Sequence, residues 1–233
     1  MMNSPKLFDF DDSQSLADAL SQRVISDLEA VLKVRESATL LLSGGSTPRL
    51  FFKTLSRIPF EWNRVKISLV DERMVPKDHP ESNAAMIQRL LRQNEAAAAE
   101  FILMYEARMD AQNASKVCEQ NFKTKLFPFD VIVLGMGNDG HTASLFPRNP
   151  SLKEALDPNN SALCISMTPQ DAPHQRLSLT LSAILSAQHI YVHFEGEAKA
   201  KVYQEAMAGR DSHVMPIRAV LQQNQKEIKV FKR

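Results

Sequence analysis

The sequence predicts an α/β fold: a doubly wound, mostly parallel sheet covered by helices. Short apolar runs rich in β-branched residues recur at 39–42, 65–70, 129–134 and 189–194, with the length of buried strands. Segments of helical spacing separate them, and strands that alternate with helices argue for parallel pairing. The runs also end in glycine-rich or charged clusters, and folds of this class gather their ligands at the carboxyl edge of the sheet.

At 233 residues the chain is long enough for a substantial core, and we expect a single domain spanning 1–233. Its 44% hydrophobic and 24% charged residues are ordinary for a globular protein. A net charge of +1, from 28 basic and 27 acidic residues, gives no global pull toward nucleic acid or a membrane, so neither is expected as a partner. Any anionic ligand must then be held by a local basic cluster. Cys118 and Cys164 have neither CxxC spacing nor the number for a disulfide framework, and are expected to be reduced core thiols. The start has no signal-peptide core and no apolar run approaches spanning length, which predicts a cytoplasmic protein. A monomer or weak homo-oligomer is expected.

Taken in order, residues 6–10 can form a short strand. Ser13 or Ser15 can cap a helix to about residue 35, with Leu16, Leu20, Val24 and Leu28 on one face. The strand at 39–42 runs into Ser43-Gly-Gly-Ser-Thr-Pro48 and a helix through 57, and Pro48 suits a first helical turn. The strand at 65–70 ends in Asp71-Glu72-Arg73, and a proline-punctuated loop follows. Ser82 or Asn83 then caps a helix through about 93, ended by the alanine-rich run 95–100. A strand is expected at 101–105 and a helix at 111–127. Beyond the strand at 129–134 come a strand at 162–167, a loop with Pro169 and Pro173, and the segment 176–181. The strand at 189–194, a helix to about 207, a short helix at 217–223 and a strand at 228–231 complete the chain.

Chemistry concentrates in the strand ends. Gly135-Met-Gly-Asn-Asp-Gly140 has the spelling of a dinucleotide-binding turn, but that motif needs a helix at its third glycine and an acid after the next strand. Pro147 and Pro150 shorten any such helix, and Thr168-Pro169 stands where the acid belongs. The alternative is a loop presenting His141. Ser43-Gly-Gly-Ser-Thr-Pro48, between a strand and a helix, has the make-up of a phosphate cradle without the Walker pattern. Asp71, Arg73, Arg176 and Lys199 are unremarkable singly. His79, His174 and His213 lie in loops and His189 and His193 on one strand face; with no carboxylate or cysteine cluster joining them, no metal site is predicted. Ser144 reads as helix surface or a local cap.

Leu42-Ser-Gly-Gly-Ser-Thr-Pro48, Val70-Asp-Glu-Arg73, Gly135-Met-Gly-Asn-Asp-Gly-His-Thr-Ala-Ser-Leu-Phe-Pro147 and Gly196-Glu-Ala-Lys-Ala200 together resemble the glucosamine-6-phosphate isomerase/6-phosphogluconolactonase family. The motifs stand in that family's order and span 42–200, most of the chain. The resemblance implies a fold of the glucosamine-6-phosphate deaminase/ribose-5-phosphate isomerase-like type. It also implies hydrolysis of 6-phospho-D-glucono-1,5-lactone, a phosphosugar lactone, without a cofactor. Deaminase relatives carry a glutamate where this chain has Phe146, and phenylalanine moves no protons, so lactonase chemistry is favoured over isomerisation.

The implied site follows residue by residue. His141 would serve as general base, since imidazole titrates near ~6.5. Arg73 would steady an oxyanion or hold the substrate, and Asp71 would orient Arg73 or the histidine. Gly44, Gly45, Ser46, Thr47, Lys199 and Arg176 would bind the phosphate, and Asp139 a sugar hydroxyl. A sugar-phosphate sensor on the same fold is the rival from another class, but the chain shows no spare DNA-binding segment or basic face.

Overall fold

The computed structural model describes residues 4–106, 109–169 and 173–233. The first half of the chain forms β1 (Lys6–Asp9), α1 (Ser13–Leu32), β2 (Ala38–Leu42), α2 (Arg49–Leu55), β3 (Val65–Leu69), β4 (Asp71–Arg73), α3 (Asn83–Leu90), β5 (Glu100–Phe101) and α4 (Ala111–Lys125). The second half forms β6 (Val131–Gly135), α5 (Leu152–Ala155), β7 (Cys164–Met167), β8 (Arg176–Leu179), α6 (Leu181–Ser186), β9 (His189–Phe194), α7 (Glu197–Ala208), α8 (Ile217–Leu221) and β10 (Ile228–Lys232).

Seven strands make one sheet in the order β1-β10-β9-β6-β2-β3-β5, every pair parallel. All five residues of β2 and the first four of β6 are buried, as a sheet covered on both faces requires. From β2 the chain winds outward through β3 and β5; from β6 it winds the other way through β9 and β10. The winding reverses between β2 and β6, and ligands of doubly wound sheets bind outside the carboxyl ends of strands at such a point. Leu42 and Gly135, which close these two strands, lead into the two glycine-rich loops singled out above.

The main sheet bears out the expected doubly wound, mostly parallel arrangement, and a smaller antiparallel sheet, β4-β8-β7, stands beside it. Val70 joins the two sheets: its N–H donates to Leu42 O (3.0 Å) and its carbonyl accepts from Leu179 N (2.8 Å). Asp71-Glu72-Arg73, expected as the end of a strand, is therefore a strand of its own.

Other expectations shift locally. Asp12, directly before Ser13, caps α1 by accepting from Ser15 N at 2.9 Å. The strand expected at 101–105 shrinks to Glu100–Phe101, and the alanine-rich run is a separate 3₁₀ turn, Asn94–Ala98. Segment 176–181 divides at Thr180, whose hydroxyl accepts from Ala183 N at 3.2 Å and starts α6. Part of the expected proline loop lies outside the described residues. Cys118 of α4 and Cys164 of β7 are joined in a disulfide, not separate reduced thiols; the fold buries both and brings together residues 46 apart. No helix among the described residues is long and apolar enough to cross a membrane.

One buried acid fixes the central strand pair. Asp130 precedes β6, is 2% exposed, and accepts from Thr39 N (2.8 Å) and Thr39 Oγ1 (3.1 Å) while pairing with Arg35. Replacing it leaves the Thr39 amide without an acceptor in a dry setting and the hydroxyl with only the long contact to Pro128 O. Asp130→Ala should cost roughly 3 kcal/mol in urea unfolding. A loss below about 1 kcal/mol would mean that water replaces the carboxylate.

Candidate active site

A cleft of about 290 Å³ opens at the reversal point. Gly44, Gly45, Ser46, Thr47, Asp71, Arg73, His141 and Lys199 line it, so most of the sequence-predicted site is brought together. Asp139 and Arg176 are not among the lining residues, but Asp139 contacts His141 and Arg176 pairs in register with Arg73.

The loop after β2 is tied to the end of β6. Ser43 N donates to Val133 O (2.9 Å), and Ser43 Oγ accepts from Gly135 N (3.0 Å). Glycine is needed at 44 because a Cβ there would overlap the Asn83 carboxamide. Across the loop, Lys199 Nζ donates to Thr47 Oγ1 at 2.7 Å. Lys199 lies in the first turn of α7, where a cation opposes the helix dipole, and burial pushes its ammonium pKa down. A cation held against both influences suits an anionic ligand.

On the opposite wall, the β4–β8 register sets Arg73 directly across from Arg176. Like charges in directly opposed positions destabilise a strand pair. Burial pushes the Arg176 guanidinium pKa down and Arg73 adds to the effect, with Asp71, Glu81 and Glu72 pulling the other way. Both side chains are anchored on backbone carbonyls: Arg73 Nη1 donates to Glu81 O, and Arg176 Nη1 to His174 O at 2.8 Å.

Asp71 is held from two sides. Its Oδ2 accepts from Ser144 Oγ (2.7 Å) and its carbonyl from Asn83 Nδ2 (2.9 Å). Neighbouring Glu72 is 3% exposed and accepts from Arg73 N (2.6 Å), Asn83 N (2.8 Å), Ala84 N (2.8 Å) and Ser82 Oγ (2.9 Å). Burial raises its pKa in spite of these donors.

His141 sits in the loop after β6. Asp139 Oδ1 contacts its Nδ1 at 2.5 Å and accepts from its backbone N at 3.1 Å. Burial alone would raise the Asp139 carboxyl, but hydrogen bonds and charge from His141 outweigh it and hold the pKa below the usual range. With Nδ1–H given to this carboxylate, Nε2 is the nitrogen left for proton exchange. Gly137 permits the fold-back, since a Cβ there would strike the imidazole and Asp139. Phe146 packs on the imidazole with ring centroids 5.0 Å apart. Residues 136–150 form turns with a Thr142–Leu145 bridge, so no helix opens at Gly140 as a dinucleotide turn would need.

Sequence reasoning missed several parts. Asn83, expected only as a possible cap, lines the cleft, while Ser82 provides the cap of α3. Ser144, read as helix surface or a local cap, is fully buried on Asp71. Glu81 joins His79 and His174, which corrects the expectation that no carboxylate connects those histidines. The Ser-Asn pair before a helical pattern was a visible signal. Nothing in the sequence signals that residue 144 reaches residue 71.

Comparison with known proteins bears on this site. A family model described as glucosamine-6-phosphate isomerases/6-phosphogluconolactonase matches residues 11–230. The chain is 39% identical over 222 residues to a 6-phosphogluconolactonase of Rhizobium meliloti, covering 95% of this chain and 96% of that protein. It is 40% identical over 216 residues to one of Pseudomonas putida, covering 93% and 89%. The solved 6-phosphogluconolactonase of Shewanella baltica superposes with a TM-score of 0.95 at 39% identity, covering 100% of this chain and 99% of that one. A monomeric glucosamine-6-phosphate deaminase, 17% identical with a TM-score of 0.79 and coverages of 97% and 96%, shares the fold.

Glu72 offers a test of how the site is built. Glu72→Ala removes the shared acceptor of three amides and a hydroxyl and should destabilise the protein by roughly 3 kcal/mol in urea unfolding. Unchanged stability would mean that β4 and α3 hold their positions without it.

Proposed function

This chain belongs to the glucosamine-6-phosphate isomerase/6-phosphogluconolactonase family, and from that premise we propose how its cleft hydrolyses 6-phospho-D-glucono-1,5-lactone to 6-phospho-D-gluconate. The reaction is carboxylic ester hydrolysis on a phosphosugar, the second step of the oxidative pentose phosphate pathway. The observation that carries the reading is the placement of an Asp139-oriented imidazole and a Lys199–Thr47 pair on one cleft of phosphosugar size.

In this mechanism the phosphate lies against Gly44, Gly45, Ser46 and Thr47, with Lys199 supplying charge. His141 Nε2 takes a proton from water as the water oxygen adds to the lactone carbonyl carbon. The carbonyl electrons move onto oxygen, and Arg73 steadies the oxyanion. When the tetrahedral intermediate collapses, the bond to the ring oxygen breaks and His141 returns its proton there. Asp139 stabilises the imidazolium between the two transfers, in place of the sugar-hydroxyl role expected from the resemblance. Asp71, fixed by Ser144 and Asn83, faces the same cleft two residues from Arg73 and orients it. Arg176 acts behind Arg73 by keeping that wall positive.

Phe146 favours this over deamination. It covers the imidazole with an apolar ring where deaminase relatives carry a glutamate for proton work.

The assay generates the lactone in situ with glucose-6-phosphate dehydrogenase and follows its loss against the spontaneous reaction, with glucosamine 6-phosphate in a parallel tube assayed for ammonia. Lactone loss should accelerate and no ammonia should appear; the reverse pattern would overturn the reading. His141→Ala should lower kcat by about 10²–10⁴-fold. Lys199→Ala, which touches only the non-reacting phosphate, should mainly raise KM, and an unchanged KM would remove Lys199 from the site.

A further inference from the structure

We propose that His79, Glu81 and His174 form a site for a divalent transition-metal ion, with zinc as the best match, on the outer side of the arginine wall. His79 and Glu81 lie in the loop between β4 and α3, and His174 just ahead of β8, 93 residues from Glu81. One ligand atom from each falls within 4.8 Å of the others. None of the three lines the cleft described above.

The donor set and its state fit such an ion. Two imidazoles and a carboxylate suit zinc and its neighbours better than magnesium or calcium, which prefer oxygen ligands. Bonds of about 2.0–2.2 Å in tetrahedral geometry place ligand atoms roughly 3.4 Å apart. His174 Nε2 and Glu81 Oε2 are 2.6 Å apart and would open toward that value, and no pair starts from beyond 4.8 Å. Such shifts are available to side chains that are exposed or half-buried. His79 Nδ1 accepts the Glu81 amide at 3.2 Å, so it is unprotonated, and a metal bound there replaces that long hydrogen bond. His174 Nε2 and Glu81 Oε2 already face each other, so a nitrogen and a carboxylate oxygen converge on one point. Arg73 places a positive charge nearby, which disfavours ions held by charge alone and favours one that forms strong bonds to nitrogen.

The position gives the ion a structural consequence. Arg73 donates to the carbonyl of Glu81 and Arg176 to the carbonyl of His174. A metal that clamps Glu81 to His174 therefore fixes the backbone anchors of both opposed guanidinium groups. That link to turnover rests on Arg73 meeting the substrate, whereas the metal site itself does not.

The test titrates Co²⁺, a spectroscopic substitute for zinc, into chelator-treated full-length protein and into His79→Ala/His174→Ala and Glu81→Gln variants. Wild type should show saturable ligand-field absorption and a melting temperature raised by several degrees on loading. The double variant should lose both and Glu81→Gln should bind at least tenfold more weakly, while urea unfolding in chelator confirms that each variant is folded. No saturable binding by wild type, or equal binding by the double variant (an ion at the His141–Asp139 pair instead), would overturn the proposal. Loading should also lower KM for the lactone in wild type but not in the double variant, and an unchanged KM would overturn the link to the arginines. Lactone hydrolysis by the chelator-treated wild type is measured alongside, so failure of the activity and failure of the metal site are told apart.

Discussion

The geometry of the cleft depends on one buried carboxylate that never reaches it. Glu72 points away from the cleft, between two cleft-facing residues, and binds the first amides of α3 and the hydroxyl of Ser82. Strand alternation then sends Asp71 and Arg73 to the other face, and the same clamp delivers Asn83 onto the carbonyl of Asp71. Burying a carboxyl is costly, and its raised pKa records that cost. Four donors offset it, and a loop of nine residues, 74–82, is closed onto a fixed point. Without this tie the wall that carries Arg73 would hang from Val70, the β4–β8 pairing and the side-chain bonds of Asp71 and Arg73.

The reversal of the winding supplies the other wall. Two loops leave neighbouring strands at the same edge, and the Ser43–Gly135 hydrogen bond holds them in register. Glycines at 44 and 137 let two side chains, Asn83 and His141, approach a backbone that a Cβ would block. The glycine-rich spelling therefore serves packing of protein on protein as much as room for a ligand.

Legibility in the sequence followed the range of the interaction. Strands such as 189–194, continuous and buried on both faces, were visible because burial acts on each residue separately. The carboxyl-edge cluster was visible because glycine, histidine and charged residues stood directly after such strands. Strand 71–73 was hidden: three charged residues have no strand pattern, and their partner lies more than a hundred positions away at Arg176–Ser178. The disulfide, the Ser144–Asp71 bond and the Glu81 link between two histidines were hidden for the same reason. The contact of Asp139 with His141 was not legible, because hydroxyl binding and histidine orientation ask for the same carboxylate.

The arrangement of charge shows what the fold gives up to bind an anion. Arg73 and Arg176 oppose each other across a strand pair, and Lys199 is half-buried at the positive end of a helix. Each arrangement lowers stability in the free protein, and an anion laid between the two walls relieves both. Nearby acids offset these charges in part, since Asp71, Glu81 and Glu72 act on Arg176, while hydrogen bonds hold Glu72 to amides, Asp71 to Ser144 and Asp139 to His141. A site built this way suits an anionic ligand and sets the imidazole of His141 against the apolar ring of Phe146.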